Sequence, residues 1–141
     1  MTRPLSVGVA GLGTVGGGLL NLLHANAGIV AARAGRPIVV TAVSARDRSR
    51  DRGIDLAGLT WHDDPVALAT DPAVDVVVEL IGGSEGPGRA LVEAAIAAGK
   101  PVVTANKALM AVHGGELAAS PPSRRCARAW PPTTSPASPA F

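Results

Sequence analysis

The chain has 141 residues, the length of one ordinary domain, and 47% hydrophobic against 17% charged residues excludes a wholly disordered chain. Its formal net charge of +2 points at face value to an anionic partner, but residues 1–119 hold ten basic and eleven acidic side chains. The excess comes from Arg124, Arg125 and Arg128, past which and around which no acidic residue lies.

Residues 5–10 form a short aliphatic run ended by glycines, the pattern of a buried parallel strand. Over residues 14–32, Val15, Leu19, Leu22, Leu23 and Ile29 or Val30 recur at helical spacing, which predicts one helix with that stripe inward. Residues 37–44 read as a second strand, 46–52 as polar loop or a helix start, and 59–62 as a short third strand. Asp64 caps a short helix at 65–69. Residues 75–81 are the clearest strand, closed by Gly82-Gly83. A helix follows at 87–98, with Pro87 at its start and Gly99 just past its end. A strand at 101–104 and a mostly helical stretch at 105–119 complete the alternation. Strands alternating with helices predict an α/β fold, a doubly wound parallel sheet of Rossmann-like type, with ligands at the strands' carboxyl ends.

Gly11-Leu12-Gly13-Thr14-Val15-Gly16 fits G-x-G-x-x-G, directly after a strand and opening a helix. Gly11 permits the tight turn, Gly13 lets backbone approach a pyrophosphate, and Gly16 lets the helix pack closely. The helix start then offers its free N–H groups and positive dipole end to phosphate. A purely structural glycine turn is the alternative. Past the second strand comes Ser44-Ala45-Arg46-Asp47. Arg46 suits the 2′-phosphate of NADP, with Ser44 adding a hydrogen bond; Asp47 suits the ribose of NAD instead. Arg46 also reads as one solvated charge beside Arg48, Arg50 and Arg52.

Gly82 and Gly83 stand where backbone passes the nicotinamide half of such a cofactor, although a plain turn explains them equally. Glu79, an acid inside a strand, needs a partner and reads as a loop brace. Thr104-Ala105-Asn106-Lys107 ends the last strand at the cofactor edge. Lys107 can bind a carboxylate or polarise a carbonyl, and equally can be a surface lysine at a helix start. His24, His62 and His113 show no metal-ligand spacing, and Trp61 and Trp130 make no stacking series for nucleic acid. The lone Cys126 excludes an internal disulfide and fits a reducing cytoplasm. No apolar run approaches the roughly 20 residues of a membrane span.

The fingerprint, the string Val76-Val77-Val78-Glu79-Leu80-Ile81-Gly82-Gly83, and Thr104-Ala105-Asn106-Lys107-Ala108-Leu109 together resemble the N-terminal domain of homoserine dehydrogenase, over about residues 4–119. The resemblance implies an NAD(P)-dependent enzyme reducing aspartate semialdehyde to homoserine, on the route to threonine, methionine and isoleucine. It implies that Arg46 contacts the cofactor ribose or 2′-phosphate and that Lys107, the catalytic candidate, lies at the nicotinamide and substrate side. It also implies a homo-oligomer whose substrate-binding and dimerisation domain supplies the principal catalytic lysine, an acid and the metal site, none with a counterpart here. Another NAD(P)-dependent oxidoreductase or a nucleotide-sensing module remains the alternative. Residues 120–141, rich in Ser, Pro and Arg and without apolar periodicity, read as a disordered tail or an out-of-frame end.

Overall fold

A computed structural model describes residues 2–120. The expectation for the tail covers residues 120–141, of which 121–141 lie outside the described residues. The elements run β1 Leu5–Ala10, α1 Thr14–Ala25, α2 Ala27–Ala34, β2 Ile38–Ser44, β3 Thr60–His62, α3 Ala67–Thr70, β4 Val76–Glu79, α4 Pro87–Ala97, β5 Val102–Thr104 and α5 Lys107–Ala119. The five strands form one sheet in the order β3-β2-β1-β4-β5, every pair parallel.

Near-continuous aliphatic strands are what a sheet covered on both faces requires. Val7, Val9 and Val43 point to one face and pack with Leu12 and Leu20 beneath α1. Ala10, Ala42 and Val77 point to the other, against Leu68 and Ala69 of α3 and Leu91 and Ala95 of α4. The register places Ala10 beside Ser44 and Glu79, Ser44 beside His62, and Glu79 beside Thr104. The carboxyl ends of all five strands therefore stand in one row. Chain connections leave in opposite directions from β1 and β4, and the crevice between them opens at that row.

Two expectations about the first helix are corrected. The segment is two helices meeting at 84°, not one. Asn26 makes the break: its backbone N–H and its side-chain Nδ2 both donate to the Leu22 carbonyl, each at 3.0 Å. Its φ of −115° and ψ of 20° then leave the helical region. The inward face also differs. Gly16 and Leu20 are buried, whereas Val15 and Leu22 are 63% and 52% exposed. Gly16 sits so close to the Gly11 carbonyl that this contact sets the helix's rotation, and the stripe through Val15 and Leu22 turns outward.

The polar stretch 46–52 is loop rather than helix. Asp64 is not the cap expected of it: α3 runs Ala67–Thr70 with Val66 at its N-cap and no side-chain cap, and the Asp64 carboxylate instead accepts from the Val66 N–H at 2.9 Å in the turn ahead of the helix. Among the described residues, no single helix is long and apolar enough to cross a membrane.

Candidate functional site

The glycine loop joins β1 to α1 at the crevice. Gly11 has a φ of +94°, and a Cβ there would lie 2.6 Å from the Leu80 carbonyl oxygen of the neighbouring strand's exit. A Cβ on Gly16 would lie 1.8 Å from the Gly11 carbonyl oxygen, inside any permissible contact. Both positions need glycine for the loop to exist at all. Gly13 differs, because no protein atom lies within 4 Å of where its Cβ would be. It is the N-cap of α1, and no side chain caps that helix. The opening N–H groups of α1, from Thr14 on, therefore have no side-chain cap, with the positive end of the helix dipole behind them. Such a cradle accepts the pyrophosphate of a dinucleotide.

A cleft of about 420 Å³ runs from this loop towards the exit of β2. Gly11, Leu12 and Gly13 line one wall, Leu80 and Ile81 the floor, and Ser44 to Asp47 with Arg50 and Arg52 the far side. Arg46 is exposed at the cleft, and its side chain has no ion pair or hydrogen bond among the described residues. One oxygen of the Asp47 carboxylate is engaged: Oδ1 accepts from the Ser49 hydroxyl at 2.7 Å and from its N–H at 2.9 Å. Those bonds, the hydroxyl's foremost, hold the Asp47 carboxyl below its ordinary value. Of the two residues weighed for cofactor choice, the arginine is free and the acid is engaged.

On the other side of the crevice, a buried polar chain ties β4 to β5. Glu79 has no exposed surface. Its Oε1 accepts from the N–H groups of Ile81 at 2.7 Å and Gly82 at 2.9 Å, and its Oε2 from the Thr104 hydroxyl at 2.7 Å. The Thr104 oxygen in turn accepts from the Asn106 N–H at 2.9 Å. Asn106 Nδ2 donates to the Gly83 carbonyl at 2.7 Å, while its Oδ1 caps α5 by accepting from Leu109 N–H at 3.0 Å. Glu79 is thus the loop brace its place in a strand calls for. Gly82 and Gly83, both with positive φ, are clamped from two sides. The clamp also delivers Lys107, the first residue of α5, exposed and with a side chain unpartnered among the described residues.

The predicted residues therefore fall in two groups along one edge. Gly11 to Gly16 and Arg46 surround the cleft, and Gly82, Gly83, Thr104 and Lys107 flank it on the β4–β5 side. Thr104 enters through its scaffold bonds, its hydroxyl being committed to Glu79 and Asn106. Two contributors, Asn106 and Arg52, escape a reading by residue type. In the sequence Asn106 is one member of the string Thr-Ala-Asn-Lys with no role of its own, and Arg52 is one charge among four. His62 pairs with Asp71 at 2.8 Å and His113 with Glu85 at 2.5 Å. Among the described residues, no three His, Cys, Asp or Glu side chains gather as a metal site would need.

A parallel sheet with this strand order, a glycine loop against an uncapped helix start, and a cleft at the topological switch define a dinucleotide-binding domain of the Rossmann type. The comparisons narrow the class. The profile of the homoserine dehydrogenase NAD-binding domain matches residues 11–127, and the chain belongs to that family. It is 49% identical to the homoserine dehydrogenase of Methylobacillus glycogenes over 109 residues, which is 77% of this chain and 26% of that protein. With the homoserine dehydrogenase of Pseudomonas aeruginosa it shares 50% over 115 residues, 82% of this chain and 26% of the other. The crystal structure of a homoserine dehydrogenase from Thiobacillus denitrificans superposes with a TM-score of 0.76 at 47% identity, over 84% of this chain and 27% of that one. The Staphylococcus aureus enzyme superposes at 0.74 with 30% identity, over 83% of this chain and 30% of that one. The chain thus spans about a quarter of the length of the curated relatives it matches.

Proposed function

We propose that this chain is the cofactor-binding part of a homoserine dehydrogenase that uses NADP in preference to NAD and interconverts aspartate semialdehyde and homoserine. The observation that carries the cofactor choice is the contrast at the exit of β2, where Arg46 is free in the cleft and Asp47 is bound to Ser49. A guanidinium pairs with a 2′-phosphate through charge-assisted, two-pronged hydrogen bonds, which the ribose hydroxyl of NAD cannot return. The backbone of Gly11, Leu12, Gly13, Thr14, Val15 and Gly16 would hold the pyrophosphate, and the Gly82-Gly83 loop with Thr104 and Lys107 the nicotinamide side.

When bound, the nicotinamide supplies the hydride. The chain's own contribution is to fix the loops on either side of it and to present the Lys107 ammonium where it can bind a carboxylate or polarise a carbonyl. Turnover also needs groups that hold the second substrate in reacting geometry and transfer a proton at its carbonyl. Lys107 is the exposed, unpartnered group that the described residues offer on the nicotinamide side, and the chain alone is expected to bind cofactor without oxidising homoserine. A cytoplasmic location and a homo-oligomeric whole enzyme belong to the same reading.

Titration of the purified chain with NADPH and NADH, repeated on Arg46→Ala, tests it. Micromolar or weaker NADPH binding is expected, reduced by about tenfold or more in the variant, with NADH binding little changed. Equal affinity for both cofactors, or measurable homoserine oxidation by the chain alone, contradicts the proposal.

A further inference from the structure

Arg52 lies in the loop between β2 and β3, half-buried, and its guanidinium donates to three main-chain carbonyls. Nε reaches Leu12 at 3.2 Å, Nη1 reaches Arg50 at 2.9 Å, and Nη2 reaches Asp47 at 2.5 Å. The guanidinium carbon stands 5.7 Å from the centre of the Trp61 ring, with that of Arg48 at 5.8 Å. Trp61 is itself anchored, its indole N–H donating to Asp63 at 2.9 Å. Leu12 belongs to the glycine loop, whereas Asp47 and Arg50 belong to the loop that carries Arg46. One side chain therefore joins the two walls of the cleft.

We infer that Arg52 is the positioning residue for cofactor discrimination: it straps the Arg46–Arg50 loop to the glycine loop and so holds Arg46 ready for a 2′-phosphate. The inference rests on the NADP reading above. Without the strap the loop keeps the turn of Asp47 on Ser49 and the stacking of Arg48 on Trp61, while its tie to the glycine loop is confined to its root, where the Gly11 N–H donates to the Ser44 carbonyl at 2.9 Å. Arg46 on an untethered loop must be ordered at the moment of binding, and that entropy falls on the 2′-phosphate contact alone. A guanidinium suits the task because its planar fork presents five donors in fixed directions and stacks on an aromatic face, neither of which an ammonium reproduces.

The test uses the full 141-residue chain and its Arg46→Ala, Arg52→Met, Arg52→Lys and Arg46→Ala/Arg52→Met variants, each titrated with NADPH and NADH. Arg52→Met is expected to lower the NADPH-to-NADH affinity ratio about tenfold, with NADH affinity nearly unchanged and the thermal transition retained. The double variant is expected to match Arg46→Ala alone, since a strap has nothing to position once Arg46 is gone. Arg52→Lys, which keeps the charge and loses the fork, is expected to behave like Arg52→Met and replaces it if that variant does not fold. An unchanged ratio in either Arg52 variant, or losses that simply multiply in the double variant, overturns the inference. A wild-type chain without NADPH preference, or one that binds neither cofactor, instead refutes the NADP reading on which the inference rests.

Discussion

The Glu79 carboxylate accepts the Thr104 hydroxyl at 2.7 Å in the interior of the sheet, and through it β4 and β5 share one hydrogen-bond network with the loop between β4 and α4. Glu79 answers three donors with two oxygens: Ile81 N–H, Gly82 N–H and the Thr104 hydroxyl. Removing it leaves all three without their acceptor in a partly buried site. Glu79→Ala is therefore expected to cost at least about 3 kcal/mol of unfolding free energy, from roughly 1 kcal/mol or more per orphaned donor. Glu79→Gln keeps one acceptor oxygen and is expected to cost less. Urea midpoints of the two variants check the order; equal midpoints to wild type would sink the network's role.

Gly13 and Gly16 separate cofactor binding from folding. Gly16→Ala drives a Cβ into the Gly11 carbonyl and is expected to destabilise the domain by more than about 4 kcal/mol, or to prevent its folding. Gly13→Ala meets no protein atom and is expected to leave the melting temperature within a few degrees of wild type while lowering NADPH affinity about tenfold. Thermal melts paired with titrations distinguish them. A Gly13→Ala chain that melts early would show that the glycine serves the fold.

The His62–Asp71 pair predicts a pH dependence. The His62 hydrogen bond comes first, opposed by burial and reinforced by the Ala73 N–H, and together they hold the Asp71 carboxyl below its ordinary value. A carboxyl whose folded-state value lies below its unfolded one contributes stability above the unfolded value, about 3.9, and loses it as pH falls through the folded value. Urea midpoints are expected to fall more steeply below about pH 4 in wild type than in Asp71→Asn. Parallel curves would exclude Asp71 as a source of the acid sensitivity.

Lys107 is exposed and unpartnered among the described residues, so the fold does not need it. Lys107→Met is expected to leave the chain's stability within about 0.5 kcal/mol of wild type. In a full-length relative carrying the same substitution, turnover is expected to fall about a hundredfold. Unchanged turnover there would favour a nucleotide-sensing role for the domain.

The strand and helix order is legible in the sequence because strands buried on both faces are compact aliphatic runs, as residues 7–10 and 76–79 are. The glycine loop is legible because each glycine answers a separate steric demand. Glu79 announces itself as an acid in the interior of an aliphatic strand, and two of its three partners are found two and three residues on. Helix rotation is not legible: Val15, Leu19 and Leu22 make as good a stripe as Gly16, Leu20 and Leu23, and only the contact of Gly16 with Gly11 decides between them. The break at Asn26 depends on a local hydrogen bond that competes with an otherwise continuous pattern. Arg52 stays hidden for a different reason. Its partners are carbonyl oxygens, which every residue carries, so no residue type marks them.

The bare start of α1 sets a conflict between robustness and use. Serine, threonine, aspartate or asparagine at the N-cap stabilises a helix by about 1 kcal/mol relative to alanine, and a Cβ at position 13 would meet no neighbour. Such a side chain would turn its own oxygen onto the N–H groups that a phosphate must reach. The sturdier protein would carry a permanent internal competitor. Glycine at this position keeps the helix slightly incomplete, and on the proposed reading a dinucleotide that completed it would become part of what holds the domain folded.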